Sequence, residues 1–240
     1  MKILAIGNSF SQDATRYLHQ IAHTDGVDVT VVNLYIGGCP LYKHYVNMLT
    51  DDKKYSLEFN GQSTGFMVSL SEALLSREWD YITVQQVSGQ SVDYDTYQPY
   101  LNELCSYVRQ CAPKAKLVVH QTWFYEKDSM RLCRELGYNA PEEMLADIKA
   151  AYTRAAQDID ASLTIPSGEL FMALCNAGID KVHRDTFHAS LGLGRYALGL
   201  LWYAMLTGKD VSDNAFCDFD EAVTAEEIAI AKKCVKKIAG

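Results

Sequence analysis

The sequence predicts an α/β protein: a doubly wound, parallel sheet of about five strands with helices on both faces. Three observations carry this. Strand-like and helix-like stretches alternate along the whole chain, which makes successive strands parallel and links them through helices. The strand-like stretches are largely apolar, as in a sheet covered on both faces. At 240 residues, 48% of them hydrophobic, the chain can bury one sizeable core. It shows no linker, repeat or low-complexity segment, so a single domain over residues 1–240 is expected.

Residues 2–6 read as the first, central strand, and Gly7-Asn8-Ser9-Phe10-Ser11 as a sharp turn into a helix. Residues 11–23 carry Ala14, Tyr17, Leu18 and Ile21 at helical spacing and predict one helix, ended by Asp25-Gly26. Val27–Leu34 is apolar and β-branched, a second strand. It runs into Gly37-Gly38-Cys39-Pro40, a glycine turn with a proline stop, and Leu41–Met48 suits a short helix. Within residues 51–66 a small hairpin is expected at Tyr55–Phe59, with Asn60-Gly61 as its turn. Leu70–Arg77 is helical, Trp79–Gln85 a third strand and Tyr97–Cys111 a helix. Lys116–His120 is a fourth strand, followed by the aromatic run Trp123-Phe124-Tyr125. Residues 126–141 are charged and irregular, an insertion expected over the site. Glu142–Asp158 is a strong helix, Leu163–Pro166 a short fifth strand and Gly168–Ala177 a helix. Asp185–His188 is a loop, Leu193–Leu206 an apolar helix packed across the sheet, and residues 224–238 a last helix.

The net charge of -8 argues against nucleic acid as a partner, because phosphate binding needs a basic face. The lysines near the C-terminus share their helix with Glu226 and Glu227 and read as a solvated face. Seven cysteines show no CxxC pair and no metal-ligand spacing, which suits reduced thiols. No stretch is long and apolar enough to span a membrane, and no signal-type leader precedes the first strand. A cytoplasmic protein is expected, unless a leader has been removed ahead of Met1.

Ser9 stands where a parallel strand opens onto a helix, the edge at which open α/β sheets bind ligands. A serine hydroxyl needs a base to take its proton and a third group to orient that base. His188 can be the base, and Asp185, three residues earlier, can reach its other ring nitrogen. The Ser9 N–H, the Gly38 N–H and the Gln85 side-chain amide are candidate oxyanion donors, with Gln86 the second choice for the amide. Gln86, His44 and Trp123 are candidates for lining a substrate pocket, although His44 could equally be structural and Trp123 core. His120 reads as a partly buried polar residue and His183 as a surface one.

The order of these segments resembles the SGNH (GDSL-like) hydrolase superfamily. Gly7-Asn8-Ser9-Phe10-Ser11 is similar to its first block, in a Gly-Asn-Ser form. Asn33–Gly38 is similar to the second, and Asp185-Thr186-Phe187-His188 to the last, which holds the catalytic Asp and His. Val84-Gln85-Gln86-Val87-Ser88 and the stretch Gly37–His44 resemble the bacterial group called domain of unknown function 4886. One departure stands out: no Gly-x-Asn-Asp follows Val84, so the usual oxyanion asparagine is missing, and Gln85 is its expected replacement. The resemblance implies a three-layer flavodoxin-like sandwich without metal or cofactor. It also implies a serine esterase acting through an acyl-enzyme on a small-molecule or glycan ester, with acetyl as the acyl group. A thioesterase or lysophospholipase with the same residues is the rival enzyme, and a non-catalytic carbohydrate-binding relative the rival outside catalysis.

Overall fold

The computed structural model of the chain describes residues 1–240. Its strands are β1 (Lys2–Gly7), β2 (Thr30–Tyr35), β3 (Tyr55–Phe59), β4 (Gln62–Val68), β5 (Tyr81–Val84), β6 (Lys116–His120) and β7 (Leu163–Ile165). They form one seven-stranded sheet in the order β4-β3-β2-β1-β5-β6-β7. The parallel core is β2-β1-β5-β6-β7, the five strands that the alternation predicts. The sheet is wider than that because the β3–β4 hairpin does not stand alone. It pairs antiparallel onto the outer side of β2.

The hairpin joins the sheet for a local reason. Asn60 and Gly61 both take positive φ, 50° and 81°, the backbone that a tight primed hairpin turn needs. The Asn60 side chain accepts the Val31 N–H at 2.9 Å, and its own N–H donates to Val31 O at 2.8 Å. The turn therefore continues the ladder of β2. A side chain at Gly61 would meet the Arg16 carbonyl at 2.0 Å, so only glycine fits there.

The helices are α1 (Ser9–Thr15), α2 (Leu18–Thr24), α3 (Leu41–Thr50), α4 (Leu70–Leu75), α5 (Tyr100–Cys111), α6 (Pro141–Asp158), α7 (Ser167–Asn176), α8 (Leu193–Thr207) and α9 (Ala225–Ala239). The group α3, α4 and α5 covers one face, and α1, α2, α7, α8 and α9 pack together on the other. The single helix expected over 11–23 is two. The break falls at Arg16-Tyr17, where the Tyr17 hydroxyl donates to Leu191 O and accepts from the Asp220 N–H, both at 2.7 Å. Those tertiary bonds, invisible to helical spacing, hold Tyr17 turned inward. Helix α8 is apolar on nearly all sides because it is enclosed between α1, α2, α7 and α9. Gly199 lets it approach α2, since a Cβ there would lie 2.8 Å from Ile21 Cδ1. No helix is long and apolar enough to cross a membrane. The buried hydrophobic residues form one continuous cluster of 64.

The order of strands reverses at β1: the chain first adds β2 on one side and later β5 on the other, with all three strands parallel. That switch point opens a crevice at the carboxyl ends of β1, β2 and β5. The turns after these three strands, with Ser9, Gly38 and Ser88, all border it.

Three histidines sit in the core, two of them against expectation. His183 is not a surface residue but is buried, with Nε2 3.0 Å from Phe124 O, and His120 is fully rather than partly enclosed. Burial pushes His44 and His120 down to about 3 and His183 to about 4. In the unfolded chain these rings take up protons near pH 6.5. The unfolded state therefore binds more protons below that pH, and stability is lost as pH falls from about 6.5 toward the folded-state values. Each fully buried ring contributes a loss of about 2 kcal/mol by pH 5. The urea midpoint is expected to drop steeply as pH falls from about 6.5 to about 4. A midpoint that stayed flat over that range would show the rings to be protonated in the folded protein.

Candidate active site

The turn after β1 has no slack. A Cβ on Gly7 would lie 2.5 Å from Ser11 Oγ and 2.9 Å from Gln85 Oε1, so the strand end is packed to the backbone. Asn8 caps α1, its Oδ1 accepting the Phe10 N–H at 3.0 Å. Ser9 is then the first residue of α1, whose N–H has no partner within the helix. Its Oγ lies 2.8 Å from His188 Nε2. His188 Nδ1 lies 2.8 Å from Asp185 Oδ2, and Asp185 Oδ1 accepts the His188 N–H at 2.9 Å. With Nδ1–H donated to the carboxylate, Nε2 faces Ser9 as a bare acceptor, the form a general base requires. Partial burial pushes the Asp185 carboxyl up, but its bonds from the His188 ring and backbone outweigh this and hold it below its ordinary value.

The Asp185–His188 loop is held in a strained shape. Thr186, a β-branched residue, takes φ 77°, which costs roughly 1–3 kcal/mol. Two bonds from the neighbouring aromatic segment fix it there: Glu126 N–H to Thr186 O at 2.7 Å and Trp123 Nε1–H to Phe187 O at 2.7 Å. Trp123 is thus no substrate platform. It is wholly buried, stacked between Phe10 at 4.0 Å and Phe171 at 4.8 Å.

A buried ion cluster locks this loop to α1. Asp13, one helical turn past Ser9, is fully enclosed. Its oxygens accept from Arg184 Nη1 at 2.9 Å, Arg195 Nε at 2.8 Å and the Ala189 N–H at 3.2 Å. Burial pushes the Asp13 carboxyl up and the two guanidiniums pull against it. Every group touching it is a donor, so the ionised form is the one this site holds. Arg195 continues to Asp220, which also takes Arg16. Sequence reading misses Asp13, because α1 is mostly polar and nothing in its pattern marks one acid among Ser11, Gln12 and Thr15 as buried.

The pocket at this edge encloses about 600 Å³. Ser9, His188 and Gly38 line it, and so do Ser88, Tyr125 and Arg131. Gly38 takes φ 60°, and its N–H has no partner among the loop hydrogen bonds. The insertion at 126–141 does lie over the site: its π-helical turn Arg131–Glu135 supplies Arg131 and Glu135 to the wall. The Arg131 guanidinium sits 4.2 Å from the centre of the Phe187 ring.

The glutamines and His44 correct the sequence expectation. Gln85 is buried and does not line the pocket: its Nε2 donates to Asn8 Oδ1 at 2.8 Å and its Oε1 lies 2.9 Å from His120 Nδ1, so its amide faces the core and not an oxyanion. Gln86 is equally committed. Its Oε1 accepts the Leu41 and Val87 N–H groups, both at 2.9 Å, and its Nε2 donates to Thr96 O at 3.1 Å. His44 is enclosed beside the Tyr55 hydroxyl at 3.0 Å, away from the pocket. What the loop after β5 offers the pocket is Ser88, whose Oγ lies 2.9 Å from the Tyr125 hydroxyl. No cluster of three His, Cys, Asp or Glu side chains is arranged to hold a metal ion.

A seven-stranded, mostly parallel sheet with a serine after its central strand and an Asp-x-x-His loop beside it has the fold of the SGNH hydrolases. Solved structures agree. Axe2, an acetylxylan esterase from Geobacillus stearothermophilus, superposes with a TM-score of 0.53 over 84% of this chain and 90% of its own, at 11% identity. The esterase EstA from Pseudoalteromonas sp. does so with a TM-score of 0.51 over 83% and 91%, at 12% identity. The chain belongs to the family described as "Domain of unknown function (DUF4886)", whose model matches residues 2–238. A DUF4886 family protein from Bacteroides uniformis is similar over 99% of this chain and 93% of its own, with 31% identity and a TM-score of 0.90. No curated protein matches the sequence.

Asp13→Ala would leave the Arg184 and Arg195 guanidiniums facing an empty site. Breaking a buried pair this way is expected to cost about 3 kcal/mol in urea unfolding. It should also free the Asp185–His188 loop, seen as faster amide hydrogen exchange at residues 184–189. A variant as stable as the parent, with unchanged exchange there, would show that the clamp does not hold the loop.

Proposed function

We propose that the protein is a serine esterase that removes a small acyl group, acetyl first, from a carbohydrate or similar polar alcohol. The observation that carries this is the hydrogen-bonded chain from Ser9 Oγ through His188 to Asp185, with Ser9 and His188 lining the pocket. Ser9 Oγ attacks the ester carbonyl carbon while His188 Nε2 takes the serine proton. Asp185 stabilises the imidazolium that forms. The negative charge on the former carbonyl oxygen is met by the Ser9 and Gly38 N–H groups. The Ser88 hydroxyl, ordered against Tyr125, replaces the missing asparagine as third donor. As the tetrahedral intermediate collapses, His188 returns the proton to the leaving alcohol and the acyl group stays on Ser9. Water then gives a proton to His188 and attacks the acyl-enzyme, releasing the acid and restoring Ser9.

The pocket wall favours a compact acyl group. Its lining is mostly polar, with Gln12, Arg131, Glu135 and Arg184 among the residues that form it, which suits a polar alcohol better than the long chain of a lysophospholipid or acyl thioester. Arg131 and Glu135, on the pocket wall, offer a sugar ring hydrogen-bonding partners. The ready base on Ser9 speaks against a purely binding role.

Ser9→Ala is expected to lower kcat for p-nitrophenyl acetate by about 10⁴-fold or more. Ser88→Ala, which removes one oxyanion donor, should lower it by about 10²-fold with little change in KM. Along p-nitrophenyl esters from acetyl to octanoyl, kcat/KM should fall. Undiminished hydrolysis by Ser9→Ala would remove the esterase reading, and a rate rising with chain length would favour the long-chain enzyme.

A further inference from the structure

We propose that Gln85 and His120 are positioning residues for the oxyanion hole: with Asn8 they form a directional hydrogen-bond chain that sets where the Gly38 N–H points. The proposal rests on the esterase reading for its catalytic meaning, but its geometry stands by itself.

The direction of the chain follows from one backbone group. The Phe10 N–H can only donate, and it meets the Asn8 side chain at 3.0 Å, so the atom it meets is the oxygen. The Asn8 nitrogen then points the other way and donates to Cys39 O at 3.1 Å. The same Asn8 oxygen receives the Gln85 nitrogen at 2.8 Å, which turns the Gln85 oxygen toward His120 Nδ1 at 2.9 Å. An amide oxygen cannot donate, so His120 carries its proton on Nδ1. Its Nε2 is left bare, buried and without a partner. Burial keeps this ring neutral, down at about 3.

The chain therefore runs His120 to Gln85 to Asn8 to Cys39, from β6 through β5 and β1 to the loop after β2. All three side chains are almost completely buried. Its last bond holds the carbonyl of Cys39, the residue after Gly38, and the Cys39 N–H closes the same turn on Ile36 O at 3.2 Å, so residue 39 is fixed on both sides. The Ser9 N–H and the Gly38 N–H belong to different loops, and Asn8 is the side chain that bonds across them. A buried polar chain of this kind specifies geometry more than it adds stability, since apolar groups of the same shape can replace hydrogen-bonded pairs at little cost. The glutamine at the end of β5 thus acts on the oxyanion hole through Asn8, not from within it.

Nitrogen NMR of the His120 ring in the unmodified protein is the first test. The expected result is a proton on Nδ1 and a bare Nε2 at neutral pH. A proton on Nε2 would overturn the proposal whatever the protein catalyses. Two variants then test the coupling. Gln85→Met keeps the length but donates nothing, and Asn8→Asp sets an acceptor against the Cys39 carbonyl. The Gly38 amide resonance should move in both. For p-nitrophenyl acetate, kcat should fall about 10-fold in Gln85→Met and about 10²-fold in Asn8→Asp, with KM within about two-fold of the parent. If either variant fails to fold, the other and the ring tautomer still decide. An unmoved Gly38 resonance in a folded variant, or a fall in melting temperature with kcat unchanged, would leave the chain a packing feature and overturn the proposal. If the parent protein hydrolyses no ester, the function proposed above fails, while the tautomer and the Gly38 shift still judge the chain of bonds.

Discussion

The carboxylate of Asp13 is the interaction on which the site depends. Ser9 and His188 lie 179 residues apart in sequence and 2.8 Å apart in space. A bond of that length between distant segments persists only if both are clamped to a common frame. Asp13 provides the clamp, because it is on the same short helix as Ser9 and binds Arg184 and Ala189 on either side of the Asp-x-x-His loop. A buried charge of this kind adds little net stability, since desolvation offsets most of the attraction. What it does is make the alternative arrangements costly, and that selects one geometry.

The strained backbone at Thr186 belongs to the same logic. A left-handed β-branched residue persists because donors from Glu126 and Trp123 grip both it and its neighbour. Trp123 is in turn stacked on Phe10, beside Ser9. Nucleophile helix, aromatic segment and base loop therefore pack as one unit. Polar groups enter that unit only where their bonds have a direction, as in the chain from His120 to Cys39.

Much of this was legible before the structure. The five parallel strands followed from apolar runs between helical stretches, and the hairpin followed from Asn60-Gly61. Its attachment to β2 did not, because nothing in a hairpin's own pattern says which edge it will join. The split between α1 and α2 was hidden for a similar reason: Tyr17 fits helical spacing, and only its bonds to Leu191 and Asp220 turn it inward. His183 reads as a surface residue because it stands just before the Asp-x-x-His loop, next to the charged Arg184. Arg184, however, points to a buried acid.

The sequence by itself determined the five parallel strands with their covering helices, and the identities of Ser9, Asp185, His188 and Gly38 as the groups to watch. Strand periodicity, turn glycines and a three-residue Asp–His spacing are local properties, and local properties survive in one dimension. Where the side chains at the end of β5 point was decided only by the tertiary structure. Gln85 and Gln86 have the right chemistry at the right strand end, yet each meets partners from distant segments that take up its amide. An amide's role depends on which donors and acceptors surround it, and for these two residues those come from Asn8, His120, Leu41 and Thr96, which only the folded chain brings together.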